Sequence, residues 1–120
     1  MKTLILIPIL LFLFACAENQ QLSHTETSKI AIESFYTKDN DKLENYTTTE
    51  GYGGLTSIQN LISGEKKALN FKVLNETADG DTAWVKFTTA YDDKAETFKL
   101  VKEDGVWKVT RKVLREKRPF

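Results

Sequence analysis

The spacing of hydrophobic residues changes near Ala68 of this 120-residue chain. Before that point apolar residues recur every three or four positions, as in Ile32, Phe35 and Tyr36, which is the repeat of an amphipathic helix. After it they alternate with polar residues, which is the repeat of a strand with one covered face. The pattern therefore predicts an α+β domain in which N-terminal helices pack on a curved antiparallel sheet.

Local sequence signals place helices in the first half of the chain. Ser23-His-Thr-Glu26 has the capping-box pattern and predicts a first helix over about residues 25–37. Asp39 or Asn40 can cap a short second helix. We expect Gly51-Tyr-Gly-Gly54 to break the chain as a flexible loop, so that a third helix begins after it, at the capping pattern Thr56-Ser-Ile-Gln59.

Four strands are predicted in the second half. They are separated by short segments rich in Asp and Gly, which are the residues of hairpin turns. Because such short connections join only antiparallel neighbours, the sheet is predicted to be a meander. The strands span about residues 67–77, 82–91, 94–103 and 106–114, with turns at Asp79-Gly80-Asp81, Asp92-Asp93 and Asp104-Gly105.

The turn positions also predict which residues lie opposite each other. They pair Phe87 with both Val73 and Phe98, with a bulge in the 79–81 loop, and they pair Leu100 with Val109. The last turn also places Arg111 opposite Phe98. The predicted covered face is Leu69, Phe71, Val73, Ala83, Val85, Phe87, Tyr91, Phe98, Leu100, Trp107 and Val109, interrupted by Thr89, Glu96 and Arg111.

Several motifs resemble a known superfamily over about residues 26–112. They are an early helix with Phe35 and Tyr36, Asp41-Lys-Leu-Glu44 before Tyr46, Gly80-Asp-Thr-Ala-Trp-Val85, and Asp104-Gly-Val-Trp-Lys-Val109. Together they are similar to the nuclear-transport-factor-2-like, or cystatin-like, superfamily. More narrowly, they resemble bacterial lipoproteins with a domain of unknown function once labelled putative lumazine-binding. The resemblance implies a cone-like fold with a pocket between sheet and helices, in which enzymes of the superfamily place an aspartate, histidine or tyrosine.

Cys16 ends a short apolar run, Leu4 to Ala15. A run of about a dozen residues spans about 18 Å as a helix, less than the ~30 Å core of a bilayer, and suits a signal peptide. Leu13-Phe14-Ala15-Cys16 resembles a bacterial lipobox. We therefore predict a lipoprotein signal peptide at residues 1–15, a lipidated tether at residues 16–24 that begins with Cys16, and a single domain at residues 25–120.

The alternative is an ordinary signal peptide that is cleaved after Ala15 or Ala17. Cys16 is the only cysteine, so it cannot form an internal disulfide, and lipidation would give it a role. Acyl chains contribute ~0.8 kcal/mol per buried CH₂, so two or more of them anchor a protein permanently. By analogy with other lipoproteins, Ala17 in place of an aspartate favours the outer membrane, with the domain facing the periplasm or the surface.

Composition narrows the classes of partner. Without Lys2, 16 basic residues remain of the original 17, against 17 acidic ones, which is a net charge of −1. This balance gives no basis for nucleic-acid binding. The single histidine, His24, is expected in or beside the tether, and with one cysteine it cannot build a metal site, so we expect no cofactor. The expected partners are the membrane, through lipid on Cys16, and an envelope protein or small ligand.

A candidate pocket lies on the covered face at Thr89, Tyr91, Glu96, Phe98 and Arg111. The register places Glu96 and Arg111 near each other, and a charge on a covered face must be paired or reach water. The pair is either a structural ion pair at the sheet end or the polar mouth of a pocket. In the second case it would orient an anionic or hydroxylated ligand.

The opposite face is rich in lysines but also carries Trp84, Lys86 and Val101, which form a candidate interaction surface. This surface could bind an anionic glycan or form a homodimer through the sheet. Alternatively, Trp84 is simply covered by the alkyl chains of lysines.

No catalytic constellation is visible, so the sequence favours a non-enzymatic, membrane-anchored binding module. The main rival is a small isomerase-like or dehydratase-like enzyme that uses Glu96 or Tyr91 as acid or base. A third possibility is an immunity or inhibitor lipoprotein, which needs no pocket.

Overall fold

In the described part of the chain, three helices precede a four-stranded antiparallel sheet, which confirms the α+β class. The computed structural model describes residues 22–62, 64, 69–112 and 115–120. Cys16, the predicted signal peptide and most of the predicted tether lie outside the described residues. The elements are α1 (His24–Thr37), α2 (Asn40–Asn45), α3 (Thr49–Gln59), β1 (Lys72–Asp79), β2 (Thr82–Thr89), β3 (Asp92–Glu103) and β4 (Val106–Thr110).

Side-chain caps begin all three helices. Ser23 and Glu26 form the predicted capping box of α1, with Ser23 Oγ accepting from the Glu26 backbone nitrogen at 3.0 Å. Asp39 caps α2, and Thr48 caps α3. His24, which the sequence placed in or beside the tether, is the first residue of α1 and belongs to the folded domain.

Helix α3 runs through Gly51-Tyr-Gly-Gly54, so the predicted loop at these residues and the predicted helix start at Thr56 are both wrong. The reason is a close contact between helix and sheet. A Cβ atom at Gly51 would collide with the carbonyl oxygen of Val109 and would lie 3.0 Å from Cα of Thr110. Glycine therefore lets the helix approach β4, and this packing outweighs the low helix propensity of glycine.

Gln59 ends α3 rather than capping the start of a helix. Its side chain is buried, and its amide nitrogen donates to the carbonyl oxygen of Phe35 at 2.8 Å and to Oδ1 of Asn40 at 2.9 Å. These bonds tie the end of α3 to the end of α1 and the start of α2. Because a buried amide must find such partners, they fix the position of α3 at one end.

The β3–β4 hairpin has the predicted register, with Leu100 opposite Val109. Asp104 and Gly105 both have positive φ, 53° and 80°, as a two-residue type I′ turn requires. The predicted pairing of Phe98 with Arg111 is wrong, because β4 ends at Thr110.

The β2–β3 register differs from the prediction. Phe87 lies opposite Glu96, not Phe98, because the turn is at Ala90 and Tyr91 rather than at Asp92-Asp93. Between the pairs Phe87–Glu96 and Thr89–Asp92, β3 has two more residues than β2, which makes a bulge. The net shift is two positions, so the side chains of β2 and β3 that pair with each other keep their predicted faces.

The β1–β2 pair confirms the predicted partnership of Val73 and Phe87. The irregularity expected in the 79–81 loop lies instead within β1, between Val73 and Asn75. As a result, Glu76 lies opposite Val85, a residue of the covered face.

The core lies between the helices and the predicted covered face of the sheet. Val85, Phe87 and Leu100 are completely buried at its centre. Tyr91 is an exception to the predicted face, since it occupies the β2–β3 turn and is 39% exposed. The core consists of Ala31, Ile32, Phe35, Tyr36, Leu43, Leu69, Ala83, Val85, Phe87, Phe98, Leu100, Trp107 and Val109, with Phe71 and Val73 among the partly buried residues packed against it.

Candidate functional site

A cleft of about 310 Å³ lies between α3 and the β3–β4 end of the sheet. This volume is near the lower end of the range for small-molecule sites, roughly 300–1,000 Å³. One wall comes from α3 and the other from β3, β4 and the residue that follows β4. The lining residues are Gly51, Gly54, Leu55, Ser57, Ile58, Phe98, Val109, Thr110 and Arg111.

The walls of the cleft are mainly apolar. Phe98 and Val109 belong to the buried core, and Leu55 is a partly buried residue packed against it. Ile58 is 49% exposed, so part of the apolar lining faces solvent. The binding of an apolar ligand group over Ile58 would therefore be favourable, because it removes this apolar surface from water.

A short segment before α3 holds this helix against the sheet. Thr47 forms a parallel bridge with Val109, and the Val109 backbone nitrogen donates to the Tyr46 carbonyl at 2.9 Å. The Thr48 backbone nitrogen donates to the Val109 carbonyl at 2.9 Å, and Thr48 Oγ1 donates to Thr110 Oγ1 at 2.8 Å. These bonds satisfy backbone groups on the outer edge of β4 and set the position from which α3 begins.

Among the described residues that line the cleft, Arg111 is the one that carries a charge. A Cβ atom at Gly54 would lie 3.0 Å from Arg111 Cδ and 3.2 Å from its Cγ, so the alkyl chain of Arg111 rests on the helix at Gly54. Within the described residues, no ion pair or hydrogen bond occupies the guanidinium group. Arg111 therefore presents five unused N–H donors beside an apolar surface.

The two hydroxyl groups of the lining already have partners. Ser57 Oγ donates to the Gly54 carbonyl at 2.7 Å, and Thr110 Oγ1 accepts from Thr48 at 2.8 Å. Each of these hydroxyl groups thus has one hydrogen bond committed, and Arg111 offers the largest set of unused donors in the lining.

The five predicted pocket residues separate into two groups. Phe98 and Arg111 line the cleft, whereas Thr89, Tyr91 and Glu96 do not. No ion pair joins Glu96 to Arg111 in the described part of the chain. Because β4 ends before Arg111, the side chain turns toward α3 instead of following the sheet toward Glu96.

Thr89, Tyr91 and Glu96 form a second polar group at the C-terminal end of α1. Here the Tyr36 ring lies 5.5 Å from the Tyr91 ring, and burial raises the pKa of Tyr36, with the carboxylates of Glu96 and Asp92 adding to the shift. Partial burial also raises the pKa of Glu96, and a hydrogen bond and the charge of Asp92 raise it further. The β3 bulge brings these two carboxyl groups together, although they are four positions apart.

His24 lies in a third polar group, at the N-terminal end of α1. Its Nε2 is 2.7 Å from Glu76 Oε1, and Thr25 Oγ1 donates to the same oxygen at 2.6 Å. The hydrogen bond from Thr25 lowers the pKa of Glu76, and His24 adds to the effect. The imidazole also meets the edge of Trp107, with 5.5 Å between ring centroids. This group fastens α1 to β1 and β4, which is a structural role.

The predicted interaction surface on the outer face is largely covered. Trp84 is 9% exposed, and Lys86 and Val101 are half-buried. Lys99 lies opposite Trp84. The Nζ atom of Lys99 is 5.8 Å from the centre of the indole ring and 2.8 Å from Glu116 Oε2. The C-terminal segment thus reaches this face, and Trp84 fits the alternative of a tryptophan covered by lysine.

The α3 wall of the cleft was not predicted from the sequence. Gly51 and Gly54 were interpreted as chain breakers, yet they allow the helix to approach β4 and Arg111. Their spacing of three, with Leu55 and Ile58 following at helical spacing, was a usable signal of a helix with a small-residue face.

No family model, curated protein or solved structure matches the chain. In the part of the chain that the structure describes, no helix has both the length and the hydropathy needed to cross a membrane. The described residues also contain no group of three or more His, Cys, Asp or Glu side chains that could hold a metal ion. We therefore infer the function from the chemistry of the cleft and of the N-terminal sequence.

Proposed function

We propose that this protein is a lipid-anchored, non-enzymatic binding module of the bacterial cell envelope, which takes a small ligand in the cleft beneath α3. Cys16 and its lipobox-like context support the anchor. The cleft itself supports binding, since an apolar concavity with one well-placed cation is the usual composition of a small-molecule site. We also propose membership of the nuclear-transport-factor-2-like superfamily, which the order of helices followed by a meander supports.

The observation that carries the binding proposal is the partly exposed apolar lining next to Arg111. An uncharged apolar dye, N-phenyl-1-naphthylamine, tests it with the Cys16→Ser protein, in which no acyl chain competes for the dye. We expect saturable fluorescence enhancement that Ile58→Glu reduces about tenfold in affinity, because a carboxylate in the apolar lining must lose its hydration when the dye covers it. Leu61→Glu is the matched control, since Leu61 is 82% exposed and does not line the cleft.

An equal loss of dye affinity in the two variants, or the absence of saturable dye binding, would contradict the proposal that the cleft is the binding site. Loss in Leu61→Glu alone would instead place the dye on the surface beyond the end of α3.

The anchor has its own test in bacterial membrane fractionation. The unchanged chain is expected in the membrane fraction, and Cys16→Ser in the soluble fraction of the envelope, because two or more acyl chains bind a membrane essentially irreversibly. A Cys16→Ser protein that stays wholly in the membrane would overturn the proposal.

One observation favours the rival function, acid–base catalysis. The raised pKa of Glu96 beside Asp92 and Tyr36 is the kind of perturbation that catalytic carboxyl groups show. Glu96, however, keeps much of its surface in contact with solvent and does not line the cleft. The binding module is therefore the better supported of the two functions.

A further inference from the structure

We propose that the ligand of the cleft is a single-chain amphiphile with a carboxylate head group, held at its head by Arg111. The inference rests on the proposed function and specifies the ligand class that this cleft would select.

The charge at the cleft selects the head group. Arg111 is the one charged lining residue, and no acidic group of the described chain pairs with its guanidinium. A guanidinium matches the two oxygens of a carboxylate in a bidentate arrangement. The contact with Gly54 supports the alkyl chain of Arg111, so less conformational freedom is lost when the head group binds.

The walls select the rest of the ligand. Leu55, Ile58, Phe98 and Val109 offer an apolar surface, and the hydroxyl groups of Ser57 and Thr110 are already hydrogen-bonded. A ligand with many hydroxyl groups, such as a sugar, would leave most of them without protein partners in this cleft. A hydrocarbon chain needs no hydrogen-bond partners.

The volume limits the size of the ligand. A cleft of about 310 Å³ is at the small end of ligand sites, which suits one medium-length chain rather than a two-chain lipid.

Paired probes test the inference. The Cys16→Ser protein is titrated by calorimetry with decanoate and with 1-decanol, which share a chain and differ in the charge of the head group. We expect decanoate to bind about tenfold more tightly at low salt, with the preference shrinking as ionic strength rises.

Three variants assign the preference to Arg111. Arg111→Met should bring decanoate to the affinity of decanol, and Arg111→Lys should keep part of the preference. Arg118→Met removes the same charge from a position outside the cleft lining and should change neither affinity.

The possible outcomes distinguish an error in the proposed ligand class from an error in the proposed function. If both probes bind with equal affinity and Ile58→Glu weakens both, the cleft is a binding site but the carboxylate inference is wrong. If Arg118→Met lowers the preference as much as Arg111→Met, the effect is general electrostatics and the assignment to Arg111 is wrong. If neither probe binds saturably, both the inference and the proposed function fail.

Discussion

Gly51 and Gly53 are two residues apart in α3, yet the same change to alanine is expected to have opposite effects on stability. In a helix interior alanine is ordinarily favoured over glycine by about 0.5–1 kcal/mol. Gly53 has no atom within 4 Å of the position that a Cβ would occupy. Gly53→Ala should therefore stabilise the domain by about that amount.

At Gly51 the added methyl group would meet the backbone of β4, which cannot rotate away as a side chain can. It would collide with the carbonyl oxygen of Val109 and lie 3.1 Å from the carbonyl carbon of that residue. Overpacking of this kind costs about 1–3 kcal/mol. A displaced helix would also stretch the two hydrogen bonds from Thr48 to Val109 and Thr110, each worth about 1 kcal/mol.

After subtraction of the propensity gain, we expect Gly51→Ala to destabilise the domain by about 2 kcal/mol. For a domain of this size, that corresponds to a fall in Tm of roughly 10 °C, against a rise of roughly 4 °C for Gly53→Ala. Urea and thermal unfolding, followed by tryptophan fluorescence, measure both. A Gly51→Ala protein as stable as Gly53→Ala would refute the close approach of α3 to β4.

Three further changes test the polar groups around α1 and the outer face. The raised pKa of Glu96 means that its stabilising contribution is present below pH 4.5 and is lost as the pH rises through the raised value. Glu96→Gln should therefore raise the stability at pH 7, by an amount that solvent screening keeps small, and should flatten this pH dependence in pH-jump unfolding. The pKa of Glu76 is lowered, so its stabilising contribution is present at neutral pH and is lost as the pH falls below 4.5. Glu76→Gln should therefore be less stable than the unchanged protein at pH 7 but not at pH 3. Glu116→Gln should speed hydrogen exchange at the indole N–H of Trp84, measured by NMR, because the ion pair with Lys99 holds the C-terminal segment; an unchanged rate would show that the segment does not protect Trp84.

The faces of the sheet could be predicted from the sequence more reliably than its register. Asp104-Gly105 has the chemistry of a type I′ turn, and the pairing that follows from it is correct. Ala90 and Tyr91 have no such chemistry, so the β2–β3 turn was placed two residues too late, at the aspartates. Because strand side chains alternate with a period of two, this error left the paired residues of β2 and β3 on their predicted faces, whereas Tyr91 lies in the turn instead of on the covered face.

The site was harder to predict, since it depends on packing between elements that are distant in sequence. Phe98 and Arg111 could be assigned to one site from strand alternation alone, and both line the cleft. Glu96 was assigned to the same site because continued pairing of β3 with β4 would place it beside Arg111, but β4 ends at Thr110. The glycines of α3 argue against a helix when considered locally. The approach of Val109 accounts for Gly51 and the contact with Arg111 accounts for Gly54, whereas no close contact accounts for Gly53.

The most direct test of the binding cleft is to locate a bound probe by NMR. Decanoate is titrated into the ¹⁵N-labelled Cys16→Ser protein, and amide shift changes are mapped onto the structure. We expect the largest changes at Gly54, Ser57 and Arg111, with little change at Tyr91 and Glu96. Changes centred on Tyr91 and Glu96, or spread evenly over the surface, would contradict this expectation.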